Sequence, residues 1–194
     1  MKITPIFLSL ILFVSISDAE VDPVEELSST VNDVLDVLYD ETLSLQVRPV
    51  ALEEAIEQNF SFSLIARRAM GRNWRLLNGD QQEEFVDLFA DLLIQTYSSG
   101  FQGGARPEII WDGHKPLKEG QIEVYSNVTM DGATFPVNYR MILFQEKWQV
   151  YDVLVENISL VGNYRKQFIS MLPRGSQKEV EAMLNTLREK ISEG

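Results

Sequence analysis

At Gly104 the spacing of apolar residues switches from a period near 3.6 to a period of 2, and no other feature restricts the fold as much. Upstream, Val24, Leu27, Val31, Val34, Leu35, Leu38 and Leu45 recur at three and four. They predict an amphipathic helix from Pro23 to about Leu45, with Asp22 as its N-cap. Two shorter helices follow, Pro49 to Gln58 and Ser61 or Ser63 to Met70, the second stopped at Gly71. Asn78 with Gln81 three residues on reads as a capping box. It opens a long helix with the stripe Phe85, Val86, Phe89, Leu92, Leu93, Thr96 and Tyr97, ended by Gly100, Gly103 and Gly104.

Downstream, Ile109 to Trp111 is a short strand, and Ile122, Val124, Val128 and Met130 alternate with Glu123, Tyr125, Asn127 and Thr129. Asp131-Gly132 is a hairpin turn, and Phe135, Val137, Tyr139, Met141 and Leu143 share one face of the return strand. Glu146-Lys147 turns into a last strand, Trp148 to Val155, completing a four-stranded antiparallel meander. Helix resumes from Leu160 to Met171 and breaks at Pro173 and Gly175. Ser176 with Glu179 caps a closing helix that buries Val180, Met183, Leu184, Leu187 and Ile191. Helices, then sheet, then helices define an α+β fold. The helical part spans about 22–104, the sheet about 105–156 and the last helices about 159–192. No repeat, low-complexity tract or Ser/Gly linker divides residues 20–194, so they are expected to form one domain.

The first 19 residues read as a secretory signal peptide: Lys2, an apolar run from Ile3 to Ile16, then Ser17-Asp18-Ala19 ahead of a cut. The run falls short of the roughly 20 apolar residues of a membrane span, which makes an uncleaved anchor the lesser alternative. Cleavage near Ala19 leaves an exported chain and, with no cysteine anywhere, favours a periplasmic destination.

The absence of cysteine also removes thiol nucleophiles and thiolate metal sites, and a single histidine removes multi-imidazole ones. No metal and no cofactor are expected. Twelve net negative charges argue against a nucleic-acid binder. His114, in a turn over Asp112–Pro116, has no identifiable nucleophile to activate, so no catalytic residue is assigned. Asp152 falls within the last strand on the face of Trp148 and Val150, where it needs a partner, and Arg165 is the best placed. A general-base role for Asp152 on a small apolar substrate is the one enzymatic alternative. Arg67, Arg68, Arg72 and Arg75 form either a solvated helix face or a phosphate-facing patch. Val124, Val128, Val137, Tyr139, Met141, Leu143 and Val150 are expected to face helices bearing Phe85, Phe89, Leu92 and Tyr97. Such a surface is either plain core or the wall of an apolar cavity.

The segment Trp148-Gln-Val-Tyr-Asp-Val-Leu-Val-Glu-Asn-Ile-Ser-Leu-Val-Gly-Asn-Tyr-Arg-Lys-Gln-Phe168 resembles the signature of the MlaC, or toluene-tolerance, family almost position for position. Ala66 to Arg75, Gln81 to Phe89, Thr96-Tyr97 and Val137 to Arg140 agree as well. Asn157 stands where the family usually has glycine, and asparagine tolerates the positive φ such a turn needs. The resemblance implies an NTF2-like curved sheet packed with a helical subdomain, with an apolar cavity between them. It also implies a periplasmic phospholipid carrier without catalytic residues. Its partners would be an outer-membrane lipoprotein–porin complex and an inner-membrane ABC transporter bearing an MCE-domain subunit. Tyr164 and Phe168 would join the cavity wall, while Asp152 and Arg165 would form a structural hinge. A periplasmic adaptor without ligand is a further alternative.

Overall fold

The computed structural model describes residues 22–44, 47–98 and 105–193. The expected signal peptide, Leu45 and the Gly100, Gly103 and Gly104 helix stop lie outside them. Helices α1 (Pro23–Tyr39), α2 (Arg48–Glu57), α3 (Phe62–Met70) and α4 (Gly79–Ser98) come first, with a 3-10 turn over Gly71–Leu76 between the last two. Strands β1 (Glu108–Lys118), β2 (Gln121–Met130), β3 (Ala133–Phe144), β4 (Lys147–Val155) and β5 (Ile158–Ser159) follow, then α5 (Leu160–Met171) and α6 (Gln177–Glu193). The sheet is curved, antiparallel and open, in the order β1-β2-β3-β4-β5. This is the expected α+β architecture.

Local chemistry explains the helix starts. The Asp22 carboxylate accepts from the Val24 amide at 2.9 Å, and Pro23 occupies the first turn, where a missing N–H costs nothing. Asn78 and Gln81 bond reciprocally at 2.9 and 3.1 Å, and Ser176 and Glu179 at 3.3 and 3.0 Å. Both capping boxes read from the sequence therefore form.

Strand ends depart more from expectation. β1 continues to Lys118 because its pairing with β2 shifts between Trp111 and His114, and Gly113 takes φ +84 there. His114 is thus an exposed strand residue beyond a bulge, not part of a turn. The β3–β4 turn is at Gln145-Glu146, one residue earlier than expected, and β5 is an unforeseen fifth strand paired with Leu154 and Val155.

The helical layer meets the sheet along β4. The Val150 amide donates to the Asn59 carbonyl at 2.6 Å, while α3 and α5 pack on β4 itself. Asn59, 3% exposed, also ties α1 down: the Thr30 hydroxyl donates to its Oδ1 at 2.5 Å and its Nδ2 donates to the Trp148 carbonyl at 3.0 Å.

Candidate functional site

The sheet has one apolar face and one polar face. On the apolar face Ile122, Val124 and Val128 of β2 lie opposite Met141, Tyr139 and Phe135 of β3, and Val150 and Trp148 extend the surface across β4. Leu27 of α1 is fully buried against it, with Val24 and Val31 alongside. Val137 belongs to the same cluster. Burial pushes the Tyr139 phenol well above its ordinary pKa, so it stays neutral.

A second apolar cluster fills the helical layer. Phe85 and Phe89 of α4 stack with ring centres 5.6 Å apart, and Phe168 of α5 meets them edge-on at 5.1 and 5.3 Å. Tyr164 meets Phe89 edge-on at 4.9 Å, and Leu92 is buried in the same group. Trp74 packs at its margin, 6.3 Å from Phe85. Phe60 packs against both clusters.

The residues expected to share one wall therefore divide. Val124, Val128, Val137, Tyr139, Met141 and Val150 belong to the sheet cluster, and Phe85, Phe89, Leu92, Tyr164 and Phe168 to the helical one. Tyr97 and Leu143 are 45% and 40% exposed. The stripe on α4 does not face the sheet. It packs among α3, α5 and α6, and α1 takes its place over the strands.

The opposite sheet face is polar yet partly buried, and a bulge in β4 brings Asp152 onto it. Met141 pairs with Val150 but Arg140 pairs with Asp152, so Tyr151 is an extra residue in β4. An inserted residue reverses the alternation beyond it. Asp152 consequently lies with Arg140, away from the face of Trp148 and Val150 where the alternation had put it. Its partner also differs from the expected Arg165. Asp152, 5% exposed, accepts from the Ser159 hydroxyl at 2.7 Å and the Val161 amide at 3.1 Å, with Arg140 Nη1 at 3.5 Å. Arg165 instead donates through Nε and Nη2 to the Arg68 carbonyl, joining α5 to α3.

Arg140 Nε donates to Glu123 at 2.8 Å, which holds the guanidinium above its ordinary pKa. The Arg68 guanidinium lies 3.8 Å over the Tyr151 ring, and the Tyr151 hydroxyl donates to Gln121 at 3.0 Å. Around these groups lies a pocket of about 220 Å³, walled by Arg68, Arg140, Arg165, Tyr151 and Asp152. Ser159, Val161 and Gly162 at the start of α5 close it. Sequence reasoning missed Glu123, Arg140, Ser159 and Gly162. One signal was available: counting back from the Asp131-Gly132 turn places Glu123 directly opposite Arg140. The arginine patch splits, with Arg68 in this pocket and Arg67, Arg72 and Arg75 exposed.

Residues 28–189 match the family model described as MlaC protein. The chain belongs to the MlaC family. No curated protein matches it in sequence. In three dimensions this MlaC chain is similar to the phospholipid-binding protein from Ralstonia solanacearum, whose structure is a complex with a phospholipid. The TM-score is 0.79 at 22% identity, covering 89% of this chain and 98% of that one. At that identity the likeness is one of fold. The stretch carrying the longest MlaC resemblance, Trp148 to Phe168, runs through β4, its bulge, β5 and most of α5. One continuous segment thus supplies Tyr151, Asp152, Ser159, Gly162 and Arg165 to the pocket and Phe168 to the helical cluster. Among the described residues no group of acidic and histidine side chains could hold a metal ion.

Proposed function

We propose that this MlaC chain is a phospholipid carrier of the periplasm and not an enzyme. It moves lipid between an outer-membrane lipoprotein–porin complex and an inner-membrane ABC transporter with an MCE-domain subunit, sustaining outer-membrane lipid asymmetry. The observation that carries the reading is the division of the apolar interior into a sheet cluster and a helical cluster, with Phe60 packed against both. Acyl chains entering there separate a pair of preformed apolar surfaces and leave the hydrogen-bonded sheet intact. The lining comprises Val124, Val128, Val137, Tyr139, Met141 and Val150 on one side and Phe85, Phe89, Leu92, Tyr164 and Phe168 on the other, with Tyr97 and Leu143 at the rim. The phospholipid complex of the Ralstonia protein, alike in fold, supports the same ligand class.

Each methylene kept from water is worth about 0.8 kcal/mol, so a two-chain lipid of roughly 30 methylenes resists entering water by some 20–25 kcal/mol. A carrier must offset most of that at both ends of its journey, and a dry apolar interior does so without chemistry. Asp152 suits this role better than that of a base, since Ser159, Val161 and Arg140 already engage its oxygens. Residues 1–19 act as the export signal, and no helix among the described residues is long and apolar enough to cross a membrane. Net charge −12 repels the chain from anionic bilayers, so protein receptors recruit it.

The test is mass spectrometry of the organic extract of protein purified from its native compartment, followed by loading of delipidated protein from donor vesicles. Co-purified phospholipid and restored loading are expected. Delipidated, folded protein that accepts none would sink the proposal.

A further inference from the structure

The pocket behind the sheet gathers three guanidinium groups in a chain whose net charge is −12. Their bonds within the protein leave much of their donor capacity over. Arg165 makes two contacts to one carbonyl, and Arg140 reaches Glu123 and Asp152, each using at most two of five N–H groups. Arg68 Nε is buried without a hydrogen-bond partner, although its guanidinium is fixed over Tyr151. The acids nearby do not take up that spare capacity. Asp152 is held by Ser159, Val161 and Arg140, and Glu123 by Arg140, so two carboxylates face three guanidiniums.

We propose that the Arg68–Arg140–Arg165 pocket binds the oxyanion of a phosphate ester. Guanidinium forks match a tetrahedral oxyanion in geometry, and several forks around one site favour the several oxygens of phosphate over the two of a carboxylate. At about 220 Å³ the pocket takes the phosphate and a small substituent. It lies on the polar face, away from the sheet's apolar cluster, so it stands independently of lipid carriage. Its wall residue Val161, however, belongs to the helical cluster, so the phosphate can come from a lipid headgroup or from a soluble ester.

The test titrates delipidated protein with inorganic phosphate and with glycerol 3-phosphate by calorimetry. Saturable binding is expected, weakened by about tenfold or more in Arg68→Gln and Arg165→Gln and unchanged in the exposed Arg72→Gln. Arg165→Lys keeps charge but loses the fork, so it weakens binding less and covers the case in which a Gln variant fails to fold. Repeating the titration on protein loaded from phosphatidylglycerol vesicles separates the sources. Loss of phosphate binding assigns the pocket to the headgroup, and unchanged binding assigns it to a soluble phosphate ester. No saturable binding, or binding indifferent to the arginine substitutions in folded protein, overturns the pocket proposal even if lipid loading succeeds. Phosphate binding without loading sinks lipid carriage alone.

Discussion

Ser159 is the residue through which the sheet hands over to the last helices. Its hydroxyl accepts from the Gly162 amide at 2.8 Å, capping α5, and donates to Asp152 at 2.7 Å, so cap and strand share one oxygen. Gly162 must stay small for this, because a Cβ there would sit 2.9 Å from that oxygen. Gly162→Ala therefore displaces the cap despite its better helix propensity, and a net loss of about 1–2 kcal/mol is expected in urea unfolding. Unchanged stability would mean the cap relaxes freely. Glu179 offers a pH-dependent counterpart at α6. The Ser176 amide, then those of Arg174 and Gly175, hold its carboxyl below its ordinary 4.5. A lowered acid pKa stabilises the fold above the unfolded value, and that stability disappears as pH falls through the folded value. The stability difference between wild type and Glu179→Gln should thus be steady from pH 7 to 5 and shrink below about 4.5. A difference that persists to pH 3 in unfolding curves would refute the assignment.

Among the elements, the β-turns show how uneven the local signals are. Asp131 and Gly132 take φ 52 and 79, the positive values a two-residue hairpin turn requires, and their identities announce it. Gln145 and Glu146 take φ 49 and 63 and announce nothing. The β3–β4 pairing holds that turn against the preference of its residues. Replacing the pair by Asn-Gly is expected to add about 1 kcal/mol, or 2–4 °C in thermal unfolding. No gain would show that the turn is not strained. Helix limits were legible to within a residue or two for α2, α3 and α5, because caps and breakers are local. The bulge at Tyr151 was not. Nothing in the order Val150-Tyr151-Asp152 distinguishes it from a regular strand, since a bulge is a mismatch between two partners.

For the molecule as a whole, the question is what covers each apolar face. Both the sheet stripe and the α4 stripe were readable, but their juxtaposition was not, since periodicity says that a face is apolar and not what it meets. The structure gives the sheet to α1 and α4 to the helices around it. A sheet-side seat for the acyl chains makes Val137, 8% exposed, the place to block them. Delipidated Val137→Asp that keeps its circular dichroism spectrum should accept no lipid from vesicles, because a carboxylate on that surface must be desolvated as the chains enter. Loading at the wild-type level would move the seat to the helical cluster of Phe85, Phe89 and Phe168. By itself the sequence determined the order of the elements apart from β5, the caps, the α+β class and the family resemblance, all of which rest on spacing along the chain. Only the tertiary structure decided that Asp152 turns away from the apolar face, that Arg140 and not Arg165 faces it, and that three arginines converge behind the sheet. Those outcomes depend on pairing between strands and packing between layers, where one extra residue in β4 changes the side on which a charge lies.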